Sequence, residues 1–155
     1  MTKVEELAET LGASRRALLR SAAYLTSDRA VLRPADSEWS VLEVLAHLID
    51  TDYHYAAQAV AMRDTRDHLL VHFDDNLWKR EHAHIRDIPL TDVLSSLEAS
   101  HETVLLDVLA MTDADLDAPG LHPRGIPYTV QHVFLRLPQH DENHTRQIEE
   151  ILAAI

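Results

Sequence analysis

Apolar side chains recur at three-and-four spacing along four stretches of this chain, and the gaps between the stretches hold most of its prolines and clustered aspartates. Such spacing gathers apolar residues on one face of an α-helix. It predicts four long helices, near residues 4 to 27, 40 to 64, 91 to 111 and 129 to 154. In the first, Val4, Leu7, Ala8, Leu11, Leu18, Ala22 and Leu25 mark the inward face. No coordinated set of polar residues interrupts that face, so packing is its expected role. The second opens with Ser40 and Glu43, the spacing of a capping box in which each side chain bonds the other residue's backbone N–H. Its core arc is Val41, Val44, Leu45, Leu48 and Ile49, and His47 lies about 60° outside Val44 at 100° per residue.

The third helix is expected to start from Thr91 as N-cap, with Val93, Leu97, Val104, Val108 and Met111 inward and His101 inside the same arc. The fourth carries Val130, Val133, Phe134 and Leu137 before an interruption, and Ile148, Ile151, Leu152 and Ile155 after it. Pro138 within it lacks an N–H and crowds the carbonyl of Phe134, which predicts a kink or break before His140. Thr26 to Glu38, with Pro34, reads as a connection. Residues 64 to 90 are longer than a simple link between bundle helices, which predicts a crossover from one end of the bundle to the other. Residues 112 to 127, with Pro119, Gly120, Pro123, Gly125 and Pro127, read as loop. The expected architecture is an all-α four-helix bundle in a single domain spanning 1–155.

The interruption in the fourth stripe is where chemistry enters. His140, Asp141 and His144 fall on or beside the apolar arc, and positions four apart lie one above the other. Buried imidazoles need partners for their ring nitrogens. A shared metal ion supplies them, and so do polar groups on neighbouring helices; both readings stand on these two residues alone. His47 by itself reads as a boundary histidine. His101 reads as a core histidine or as a group near a metal. His68, His72, His82 and His84 lie where no helical stripe holds a ring still, and they are set aside. Glu98 and His101 have the Glu-x-x-His spacing of di-iron bundles, but those need a second such motif on another helix, and none of the other three predicted helices carries one.

Composition narrows these options. The 155 residues contain no cysteine, which excludes disulfides, thiolate ligands and a cysteine nucleophile. Any metal site must use nitrogen and oxygen. A net charge of -12 argues against nucleic acid or an anionic membrane as the main partner. The amphipathic start and the lack of any run near 18 apolar residues make the cytoplasm the expected location and a membrane span unexpected.

Trp39-Ser40-Val41-Leu42-Glu43-Val44-Leu45-Ala46-His47-Leu48 together with His140-Asp141-Glu142-Asn143-His144-Thr145-Arg146-Gln147-Ile148 resembles the DinB/YfiT-like family over nearly the whole chain. The resemblance implies a bundle with a long crossover between its second and third helices. It also implies a divalent metal site formed by His47, His140 and His144; Asp141 and His101, which project on or close to the inward arcs of their own helices, are candidates for supporting groups. Three imidazoles leave an ion with an open position, as in catalytic sites, and suit zinc or nickel. Family members include metal-dependent hydrolases and enzymes that use low-molecular-weight thiols. The expectation is therefore a metalloenzyme acting on a small molecule, with any thiol brought by the substrate; the alternatives are a metal-binding or stress-associated bundle without catalysis, and a structural bundle with core histidines. The resemblance also implies a homodimer.

Overall fold

Side-chain caps start three of the four long helices. In the computed structural model, which describes residues 1–82 and 85–155, Thr2 with Glu5, Ser40 with Glu43 and Thr129 with His132 form reciprocal caps for α1 (Lys3–Ser21), α3 (Val41–Asp64) and α7 (Val130–Ala154). Glu43 is buried, and Arg33 donates to both of its carboxylate oxygens at 2.7 and 2.9 Å. The remaining long helix, α5 (Leu90–Leu109), follows Pro89 and has no side-chain cap. Thr91 is therefore not the cap that the sequence suggested. Pro89, with φ at -56°, takes the cap position two residues earlier, and the helix winds from Leu90. Short helices fill the connections: α2 (Ser27–Ala30), capped by Thr26, α4 (Asp75–Glu81), a 3-10 turn at Ile85–Asp87, and α6 (Asp113–Leu116).

The core divides into two apolar clusters. One gathers Leu7, Leu11, Tyr55, Met62, Val104, Val108, Phe134 and Leu137. The other gathers Leu18, Val41, Leu45, Leu48, Leu97, Ile148 and Ile151. Along α1 and α7 the chain passes from the first cluster to the second, and along α3 and α5 from the second to the first. Helices α3 and α5 thus run the same way, which requires a connection that returns the full length of the bundle. Residues 65 to 89 do this along α3: Gln58 accepts from the Val71 N–H at 3.1 Å, Tyr55 from the Phe73 N–H at 3.1 Å, and Asp50 from the Trp78 indole at 2.6 Å. The long crossover is therefore built as the sequence implied.

Between the clusters lies a polar layer. Arg15, in the gap between Leu11 and Leu18, is buried. It donates to both oxygens of Asp52 at 2.9 and 3.0 Å and to both of Asp141 at 3.0 and 3.1 Å. Ser100 adds a bond to Asp52 at 2.6 Å, so all four long helices meet in one network. The apolar face of the first helix is therefore interrupted after all. Burial opposes the charge on Arg15, but the two carboxylates outweigh it and hold its pKa above the ordinary value.

Two other expectations change. Pro138 does not break α7, which is helical from Val130 to Ala154. The lost backbone bond costs about 3 kcal/mol, whereas Val133, Phe134, Leu137 and Ile148 on either side are fully buried, each stabilising by about 1.5–3 kcal/mol. Residues 112 to 127 are not wholly loop: β1 (Pro119–Leu121) pairs antiparallel with β2 (Pro127–Thr129), and Leu69 bridges to Leu121. The two prolines begin the strands, where a missing N–H is tolerated. Gly120 is required there because a Cβ would collide with the Met62 side chain. Among the described residues, no helix is long and apolar enough to cross a membrane.

Removing the guanidinium should leave two buried carboxylates uncompensated. Arg15→Ala is expected to lower unfolding free energy by about 3–5 kcal/mol in urea titrations. The triple variant Arg15→Met, Asp52→Leu, Asp141→Leu should lose much less, since it buries no charge. Equal losses in the two proteins would show that packing volume, and not charge, sets the cost.

Candidate metal centre

His140 and His144 stand one turn apart on α7, their ring centres 6.0 Å apart. From α3, His47 reaches the same place, 5.2 Å from His144 between ring centres. The network just described sets this meeting: it fixes Asp141 next to His140 and Asp52 five residues beyond His47, which fixes how α3 and α7 are rotated toward each other. The three histidines singled out in the sequence are thus brought together.

Their surroundings differ. His47 is 1% exposed and is enclosed edge-on by Trp39, Phe73 and Trp78, with ring centres at 5.1, 5.2 and 5.4 Å. His140 and His144 are half-buried. Burial, and then the neighbouring His144 and His140, push the His47 pKa down to about 3. Burial, His144 and Arg136 lower that of His140 to about 4. Both rings are neutral at pH 7, the form that binds metals. Two nitrogens are left over: Nδ1 of His47 and Nδ1 of His140 are buried and have no hydrogen-bond partner among the described residues. Nδ1 of His144 lies 2.7 Å from Gln147 Oε1, and since that oxygen can only accept, the ring carries its proton on Nδ1 and leaves Nε2 as a lone-pair donor.

Among the described residues, no group of three or more His, Cys, Asp or Glu side chains stands ready to hold a metal ion. The His47 and His144 rings, 5.2 Å apart, nonetheless have a suitable separation, while the His140 and His144 rings, at 6.0 Å, stand wider. Two imidazoles on one tetrahedral ion, at metal–nitrogen distances of about 2.0–2.1 Å, have centres about 5 Å apart. With two orphaned nitrogens, a tautomer locked by Gln147 and an all-imidazole donor set, the residues fit a divalent cation.

The two supporting candidates lie elsewhere. Asp141 turns to Arg15 and to Ser14, which donates to it at 3.3 Å, and among the described residues no bond runs from its carboxylate to a histidine. Burial raises its pKa against the pull of Arg15. His101 lines a recess with Arg15, Leu19 and Leu97, and burial together with Arg15 lowers its pKa to about 4. Of the histidines set aside, His68 lies 2.8 Å from Gln58, His72 meets His122, and His82 stacks on Trp78, while His84 lies outside the described residues. Sequence reading missed four contributors. Gln147 lies one turn beyond His144 and was visible as a polar residue beside the pair. Phe73 and Trp78 were visible as large apolar residues in a polar connection. Asp75, whose Oδ1 lies 3.4 Å from His47 Nε2, had no signal beyond its charge.

The DinB superfamily profile matches residues 10–148, and the chain belongs to that superfamily. Comparison with curated proteins gives no match. Among solved structures, YfiT from Bacillus subtilis, a probable metal-dependent hydrolase with an unusual four-helix bundle topology, superposes with a TM-score of 0.79 at 17% identity, covering 97% of this chain and 87% of its own. The mycothiol-dependent maleylpyruvate isomerase gives 0.75 at 9% identity, covering 94% of this chain; this chain spans 60% of that protein's length. The colibactin self-resistance protein ClbS, in complex with dsDNA, gives 0.74 at 12% identity, covering 100% and 98%. At these identities the likeness is one of fold. The ClbS complex corrects the inference drawn from net charge, because a protein of this fold is found there in complex with dsDNA. A charge of -12 therefore does not exclude nucleic acid as a partner.

Neutral burial makes the metal-free protein acid-sensitive. The unfolded chain binds protons at His47 and His140 below about 6.5, while the folded rings resist until about 3 and about 4. Stability is thus complete above pH 6.5 and falls as pH drops below it. Thermal melts of metal-free protein should show this decline, and His47→Leu should shrink it. A His47→Leu protein with the same pH dependence as the parent would mean that the ring does not fold in neutral form.

Proposed function

We propose that His47, His140 and His144 hold one divalent cation, zinc or nickel, and that the protein is a metal-dependent enzyme acting on a small molecule, either by hydrolysis or by transfer to or from a low-molecular-weight thiol. The observation that carries this reading is the pair of buried, unpartnered nitrogens on His47 and His140 beside a His144 whose tautomer is fixed by Gln147. Buried polar atoms without partners are rare and costly, and here they occur together. The metal-dependent and thiol-dependent relatives of the same fold support it.

When bound, the cation supplies Lewis acidity that polarises a substrate oxygen or sulfur. The chain's own groups do the rest. The aromatic box of Trp39, Phe73 and Trp78 keeps water from one side of His47. The half-buried His140 and His144 leave the other side approachable. Asp75, beside His47 Nε2, is placed to hold a proton at Oδ1. The absence of cysteine means that any reacting thiol comes from the substrate side.

His47→Ala, His140→Ala and His144→Ala should each lose bound metal in elemental analysis, while His68→Ala and His72→Ala keep it. Gln147→Leu should weaken metal affinity by about 10–100-fold without abolishing it. Loss of metal from the two control variants with retention in the three named ones would refute the assignment.

A further inference from the structure

A second concentration of histidine and arginine lies between the β1–β2 hairpin and α7. A cavity of about 460 Å³ is bordered there by His72, His122, Arg124, Tyr128, His132 and Arg136, and no Asp or Glu is among the described residues that line it. Lining of this kind is unexpected in a chain with 26 acidic and 14 basic residues. Arg136 is its centre. The guanidinium lies over the Tyr55 ring at 5.0 Å, Nη1 donates to the Tyr128 hydroxyl at 3.4 Å, and Nε is buried without a hydrogen-bond partner among the described residues. Among the described residues it forms no ion pair with a carboxylate.

The histidines around it are set as donors. His122 Nδ1 accepts the Arg124 backbone N–H at 3.1 Å, and His132 Nδ1 accepts the Thr129 backbone N–H at 2.9 Å. Each neutral ring must then carry its proton on Nε2, so both are N–H donors for a guest. Ring contacts from His72 to His122 and from His122 to Tyr128 and on to His132, at 5.2, 4.9 and 5.1 Å, tie the lining together. Burial, and then the charges of Arg136, His122, Arg124 and His54, lower the His72 pKa, as the cluster of basic side chains requires. Two guanidinium groups and two imidazole N–H donors, without a carboxylate beside them among the described residues, around a space of small-molecule size, suit an anion.

We propose that this cavity binds the carboxylate or phosphate monoester group of a small molecule. The Tyr55 ring that carries Arg136 also meets the His140 ring at 5.6 Å, so an anion held there lies beside the three histidines. Its role as the anchor for the substrate's far end rests on the function proposed above; the anion affinity does not.

The test is titration of metal-free protein with succinate and, separately, with inorganic phosphate, followed by the histidine ring signals in NMR. Saturable shifts at His72, His122 and His132 are expected, with whichever anion binds more tightly giving the source chemistry. Arg136→Gln should weaken binding about tenfold or more, and Arg66→Gln, which removes an exposed cation outside the cavity, should leave it unchanged. Arg124→Gln serves as a second variant if Arg136→Gln does not fold, with a smaller loss expected. No saturable shift with either anion, or unaltered affinity in the folded variants, overturns the proposal. So does a duplex oligonucleotide that moves these signals where neither small anion does. Metal retention is scored separately, so a failed metal site and a failed anion site are distinguishable.

Discussion

One buried guanidinium sets the geometry on which the rest of the molecule depends. Arg15 joins α1 to Asp52 of α3 and Asp141 of α7 through side chains that are 4%, 1% and 3% exposed, and Ser100 brings in α5. Apolar stripes alone tolerate small rotations of one helix against another, because hydrophobic attraction has no direction. A charge-assisted, doubly bidentate network does not tolerate them. Its net contribution to stability is small or even unfavourable when weighed against apolar replacements. Its consequence is registry. With Asp141 committed to Arg15, His140 and His144 face α3, and with Asp52 committed likewise, His47 faces them.

This division of labour explains what was legible in the sequence. The helices could be read because apolar periodicity is a local property, and the Ser40–Glu43 cap because it spans three residues. The histidine pair could be read because it breaks a stripe. Arg15 breaks the first stripe in the same way, but a single basic residue on an apolar face carries no sign of the two carboxylates that meet it, 37 and 126 residues away in sequence. Asp141 was legible as a polar residue on the inward arc, while its partner was not. Two of the three walls of the aromatic box, Phe73 and Trp78, came from a connection without periodicity, and the hairpin was hidden by prolines that serve as strand starts.

Charge shows a similar separation of scales. A net value describes the far field, whereas recognition depends on the few groups lining one space. An acidic chain that gathers Arg124, Arg136 and several histidines around one cavity can receive an anion there despite its overall sign. Both concentrations of histidine share the Tyr55 ring, which meets His140 on one side and supports Arg136. The hairpin and the crossover, the two least periodic parts of the chain, therefore supply much of what surrounds the proposed centre, while the bundle supplies its ligands.

The central claim is that three imidazoles from two helices share one ion. X-ray absorption at the metal edge of zinc-loaded or nickel-loaded protein tests it most directly. The account predicts three imidazole nitrogens in the inner coordination sphere at about 2.0–2.1 Å, with lighter oxygen scatterers completing it. A spectrum dominated by oxygen ligands, or one lacking the multiple-scattering signature of imidazole rings, would contradict it.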